Sequence, residues 1–88
     1  MSTGVTKINT DYMYKITDAL LQKGFIYKEV NTHKCKYEKD NITFIKEKIP
    51  KGYAHIYRFT YIQDNEVIKV YENKSEVKKL IQFIEETL

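Results

Sequence analysis

Tyr53-Ala54-His55-Ile56-Tyr57-Arg58-Phe59-Thr60-Tyr61-Ile62 is the stretch whose reading decides the fold, because every odd position in it carries an aromatic or imidazole ring. Successive side chains on a strand point to opposite sides of the sheet, so this pattern reads as a strand with two chemically different faces. Downstream, Gln63-Asp64-Asn65-Glu66 offers a two-residue loop of residues that tolerate positive φ, as a tight hairpin requires. That register sets Tyr61 opposite Ile68 and Phe59 opposite Val70 on one face, and Thr60 opposite Lys69 and Arg58 opposite Tyr71 on the other. The odd face is therefore expected to be the core.

Upstream, Pro50-Lys51-Gly52 suits a three-residue loop: Pro fixes φ for a type I turn and Gly takes the left-handed position after it. Ile49 then pairs with Tyr53, Ile45 with Tyr57 and Thr43 with Phe59 on the core side, while Glu47 faces His55. Phe44, Lys46 and Lys48 fall with Arg58 on the open face. A two-residue Lys51-Gly52 loop is the rival; it moves Phe44 and Ile42 to the core side and flips the inventory of that strand.

With 88 residues the chain is expected to form one domain with a modest core, burying roughly 60–65% of its unfolded surface. Its 42% hydrophobic and 31% charged residues place it among ordered globular chains. The net charge of +3 permits an acidic partner without requiring one. Arg58 is the only arginine among the 15 basic residues, and arginine is the side chain that reads phosphate and guanine bidentately. A single cysteine, Cys35, excludes an internal disulfide, and no apolar run reaches the length of a membrane span or a signal peptide. The chain is read as soluble and cytoplasmic.

Met1 to Asn9 reads as a flexible tail, with Val5 to Ile8 able to add a short edge strand. From residue 10 to 88 a single compact α+β domain is expected. A first helix starts near Thr10 or Asp11, carries Met13, Ile16 and Leu20 on one stripe, and stops at Gly24. Phe25 to Val30 and His33 to Lys39 form a hairpin about Asn31-Thr32, with Cys35 and Tyr37 on one face. Asp40-Asn41 is the next turn, and Val67 to Tyr71 pairs with the central strand. Asn73-Lys74-Ser75-Glu76 fits a capping box for a last helix whose apolar stripe is Val77, Leu80, Ile81, Ile84 and Leu88, widened by Phe83. The fold expected is a four- to five-stranded antiparallel β-meander with an N-terminal and a C-terminal α-helix packed on one face.

Catalytic and metal-binding signatures are sparse. His33, Cys35 and His55 are the only soft ligands, short of a converging zinc set, so no metal and no cofactor is expected. Gly4, Gly24 and Gly52 are isolated, which excludes a phosphate-cradling glycine loop. Cys35 beside a histidine is the one conceivable nucleophile, and without an orienting third group it reads as a small half-buried hydrophobe. No enzyme is expected. Lys51 to Arg58 resembles the basic-Gly-aromatic octamer of the RNA-recognition motif, whose aromatic side chains stack on bases. It departs at His55 and Arg58, and the order of elements departs as well: that family needs a helix after this strand, where this chain has a hairpin partner. A turn followed by an alternating strand produces the same pattern, so no family is assigned.

The function expected is that of a small non-catalytic binding protein, a regulator, inhibitor or adaptor of the kind phages and mobile elements carry, acting on a partner protein. The excess of tyrosines, eight in all, motivates it, since tyrosine brings large contact area with few rotors. The alternative is nucleic-acid binding through Phe44, Lys46, Lys48, Arg58, Lys69 and Tyr71, a basic and aromatic mixture of the type that holds single strands. A homodimer through an edge strand is the third possibility, and no membrane is expected as a partner.

Overall fold

In the computed structural model, which describes residues 6–88, the chain runs from a helix through an unbroken meander to a second helix. The elements are α1 (Thr10–Gln22), β1 (Ile26–Asn31), β2 (Lys34–Lys39), β3 (Ile42–Lys51), β4 (Ala54–Gln63), β5 (Glu66–Tyr71), a 3-10 turn (Lys74–Glu76) and α2 (Val77–Thr87). The five strands form one antiparallel sheet in the order β1-β2-β3-β4-β5, so β4 is flanked by β3 and β5 and the edges are β1 and β5. This is the α+β arrangement expected, with five strands.

Both helices lie on the same side of the sheet. Met13, Ile16 and Leu20 of α1 and Val77, Leu80 and Ile84 of α2 share one buried cluster with Tyr57, Phe59 and Tyr61 of β4, so the odd face of the central strand is the core. Tyr53 and His55, expected beneath the helices as well, are exposed, because the helices do not reach the end of the strand that leaves the β3–β4 turn. The apolar stripe of each helix was legible at its spacing; the α1 cap sits one residue earlier than expected, with Asn9 Oδ1 accepting from the Tyr12 amide at 3.0 Å. At the start of the second helical segment, Glu76 Oε1 accepts from the Asn73 amide at 3.2 Å, the backward half of a capping box.

The β3–β4 register corrects the sequence expectation. Lys51 pairs with Ala54, so the loop is the two-residue Gly52-Tyr53, with neither the three residues expected nor the placement of the rival. Gly52 has φ 61°, as the first central residue of a type II′ turn requires. Phe44 consequently opposes Tyr61, and Lys46 and Lys48 oppose Phe59 and Tyr57 on the helix side. The reason is packing: this register buries Phe44 completely, stacked on Tyr61 at 5.0 Å and edge-on to Phe25 at 5.8 Å, where the expected one would have buried Thr43 in its place. Burying a phenylalanine contributes about 1.5–3 kcal/mol relative to exposing it. Glu47 faces Arg58, and His55 faces Pro50.

The β4–β5 hairpin forms as expected at its turn. Asp64 and Asn65 sit at φ 54° and 65°, with Gln63 opposite Glu66. Further on, an irregularity at Ile68 shifts the pairing by one, so that Tyr61 opposes Lys69, Thr60 opposes Val70 and Phe59 opposes Tyr71. Tyr71 thereby turns into the core and Val70 turns out. In the β1–β2 hairpin, Asn31 pairs with Lys34 around a turn at Thr32-His33, one residue later than expected, and Cys35 and Tyr37 are buried on the helix side.

The expected N-terminal tail is corrected in its last residues. Ile8 is fully buried in the core; its amide donates to the Glu72 carbonyl at 3.1 Å and its carbonyl accepts from the Tyr57 amide at 2.9 Å. It thus occupies the place beside β4 that β5 vacates after Tyr71. The earlier part of that tail, residues 1–5, lies outside the described residues. No helix among the described residues is long and apolar enough to cross a membrane.

Candidate interaction surface

The six residues expected to share one open face are divided between two. Phe44 and Tyr71 are buried. Lys46 and Lys48 stand on the helix side beside β4. Lys69 also faces that side at the sheet edge, its ammonium 4.8 Å from the centre of the Tyr71 ring and 3.6 Å from Glu76 Oε2. Only Arg58 remains on the open face, and there its charge is matched: Nε lies 3.0 Å from Glu72 Oε2 and Nη1 lies 3.7 Å from Glu47 Oε1. The mixture of exposed rings and free cations that single-strand binding needs is therefore not assembled by these six residues, since a buried Phe44 and Tyr71 present no face to a base.

The face that the helices leave uncovered carries a different inventory. Its cross-strand rows, read from the registers, are Thr43–Ile62–Val67, Ile45–Thr60–Val70, Glu47–Arg58 and Ile49–Ile56. Antiparallel sheets with one solvated face ordinarily place polar side chains outward. Here β-branched aliphatics occupy that position on three adjacent strands, and Val67, Ile68 and Val70 on edge strand β5 are 62%, 52% and 41% exposed. Aliphatic residues stand on both faces between Ile42 and Ile62. That was the available signal for this surface, and the attraction of the tyrosines obscured it: Tyr37, Tyr57, Tyr61 and Tyr71 are core residues.

The other half of the same face is charged. Lys36 sits beside Ile45 and Lys34 beside Glu47, while on β1 the Lys28 ammonium binds Glu38 Oε1 at 2.8 Å. That contact, followed by the fields of Lys28 and Lys36, holds the Glu38 carboxyl below the usual range. Lys34 and Lys36 make no ion pair among the described residues, so this half is net positive. The open face is thus an aliphatic field over β3–β5 with a basic margin over β2.

The residues considered for metal or nucleophilic chemistry are dispersed. His33 is in the β1–β2 turn, His55 near the far end of β4, and Cys35 is buried opposite Lys46. Burial pushes the Cys35 thiol up, against the opposing pull of the Lys46 ammonium, and so holds it protonated. Among the described residues no three His, Cys, Asp or Glu side chains converge as a metal site. No protein-family model, no curated protein and no solved structure matches this chain.

Proposed function

We propose that the protein is a small non-catalytic binding protein that docks a partner protein on the open face of its sheet. The observation that carries this reading is the outward-facing aliphatic cluster of Ile45, Ile62, Val67 and Val70 on three adjacent strands, with Ile49 and Ile56 beyond the Glu47–Arg58 row. Contiguous apolar surface rimmed by polar groups marks an association site in soluble proteins. The basic margin formed by Lys34 and Lys36 selects the partner's chemistry: an apolar surface bordered by acidic side chains on one side. The protonated Cys35 is consistent with a role without covalent chemistry.

Affinity capture from the native host tests this. The wild-type chain is expected to retain one stoichiometric protein that survives nuclease treatment, and the folded double variant Ile45→Glu, Val70→Glu is expected to lose it. Equal capture by both, or a component that disappears with nuclease, overturns the proposal.

A further inference from the structure

A second site lies on the opposite side of the sheet, and it shares only Lys34, at its margin, with the docking face. Strand β1 is exposed along its whole length, so α1 covers β3 and β4 but stops short of the edge. Between the flank of the helix, at Met13 and Tyr14, and Tyr27 of β1 lies a cleft of about 270 Å³. Its lining includes Cys35, Lys46, Lys48 and Tyr57, which are two directly opposed pairs, Cys35 with Lys46 and Lys48 with Tyr57. Two lysines two residues apart on one face of a strand therefore project where the rest of β3 projects Phe44 into the core.

The partners of these lysines are unlike those of the other cations held against the body. Lys7 and Arg58 both reach Glu72, and Lys69 reaches Glu76. Lys46 and Lys48 make no ion pair among the described residues, although both are half-buried. The Lys46 ammonium instead lies 3.8 Å from Met13 Sδ and next to the Cys35 thiol. An ammonium has three strong donors, and sulfur is a weak acceptor. Glu29, in register with Cys35 on β1, makes no ion pair with either lysine, and Glu47, between them in the chain, pairs with Arg58 on the other face. The cleft is thus a concave, doubly cationic recess whose strongest donors have no oxygen acceptor among the described residues.

We propose that the cleft between α1 and β1 binds a small phosphate-bearing anion, held by the ammonium groups of Lys46 and Lys48. Phosphate suits the recess because its several oxygens accept from two point charges at once, and lysine binds phosphate as a point charge. The rings of Tyr14 and Tyr27, both at least half exposed, stand at the rim, where a ring attached to the phosphate would lie against them.

Titration of the full chain followed by amide NMR, with sodium pyrophosphate and separately with ADP, each against sodium chloride at matched ionic strength, tests the proposal. Saturable shifts are expected at Cys35, Lys46, Lys48 and Tyr57. Binding is expected to weaken about tenfold or more in either Lys46→Met or Lys48→Met, which keep the apolar stem, and to persist in Lys36→Met on the other face. Equal binding of both probes identifies the phosphate alone as the ligand, and tighter binding of ADP identifies a ring-bearing phosphate. Shifts spread over lysines of both faces without saturation, or equal weakening in Lys36→Met and Lys48→Met, overturn the proposal. Because the wild-type titration maps the cleft directly, a variant that fails to fold leaves the test intact.

Discussion

At the scale of single residues, Phe44 separates the two registers more sharply than any other position. On an open sheet face its truncation would be nearly neutral; fully buried between Tyr61 and Phe25, Phe44→Ala is expected to cost about 3–5 kcal/mol. Chemical denaturation of the variant checks this, and a loss below about 1 kcal/mol would return Phe44 to the surface. Glu72 is a second telling residue. Its carboxyl accepts from Arg58 Nε at 3.0 Å and from Lys7 Nζ at 3.2 Å, and these contacts, Arg58 first, hold its pKa below the ordinary glutamate value. A depressed folded-state pKa means that the stabilisation is present above the unfolded pKa and lost as pH falls through the folded one. Stability is therefore expected to fall on acidification below the ordinary glutamate range with a steeper slope in the wild type than in Glu72→Gln. Because more than a third of the Glu72 side chain is exposed to solvent, the difference is small, about 1 kcal/mol or less. Parallel slopes from denaturation across that range would remove the contribution.

At the scale of the element, the decisive quantity is the length of a turn. Alternation from Tyr53 to Tyr61 made β4 and its buried side legible, and Asp64-Asn65 announced its hairpin by residue type alone. The preceding turn was ambiguous because Pro50-Lys51-Gly52, its rival Lys51-Gly52 and the observed Gly52-Tyr53 all place a glycine where positive φ is needed. Local chemistry cannot choose between them; the burial of Phe44, a long-range event, does. The observed register differs from the expected one by three residues, and any odd slip exchanges every side chain of β3 between faces, which is why the expected site residues Lys46 and Lys48 changed face as a pair. The irregularity at Ile68 had no turn residue to signal it, and it moved Lys69 and Tyr71 in the same way. The Gly52 turn carries its own expectation. A Cβ there meets nothing within 4 Å, so Gly52→Ala is opposed by the φ of 61° alone. The variant is expected to lose about 1–2 kcal/mol, read as a lowered thermal midpoint of roughly 4–15 °C for a domain this size. An unchanged midpoint would mean that the turn relaxes to another type.

At the scale of the whole molecule, the order of helix, meander and helix was legible because each element carries its own period and its own stops. What was not legible is the join between the two ends of the chain. Lys7 bridges to Asn73, and Ile8 lies between Tyr57 and Glu72; the segment from Val5 to Ile8 reads as able to add a short edge strand, but nothing in it says which strand it would join. Its place is created by the early end of β5, a tertiary circumstance. Ile8→Ala is expected to cost about 2–5 kcal/mol, as for a central core residue. Denaturation of that variant checks this, and a loss within about 0.5 kcal/mol would restore the N-terminal residues to a tail.

The same join bears on the order of events during folding. Each hairpin of the meander closes over a short span of chain, whereas Ile8 must find Tyr57 and Glu72 across most of the sequence and only after β4 has a neighbour missing at that point. Short loops close at lower entropic cost than long ones, so the clasp is expected to form late. A conservative change at Ile8 would accordingly hasten unfolding while leaving the refolding rate almost untouched, whereas one at Phe59 would slow refolding as well.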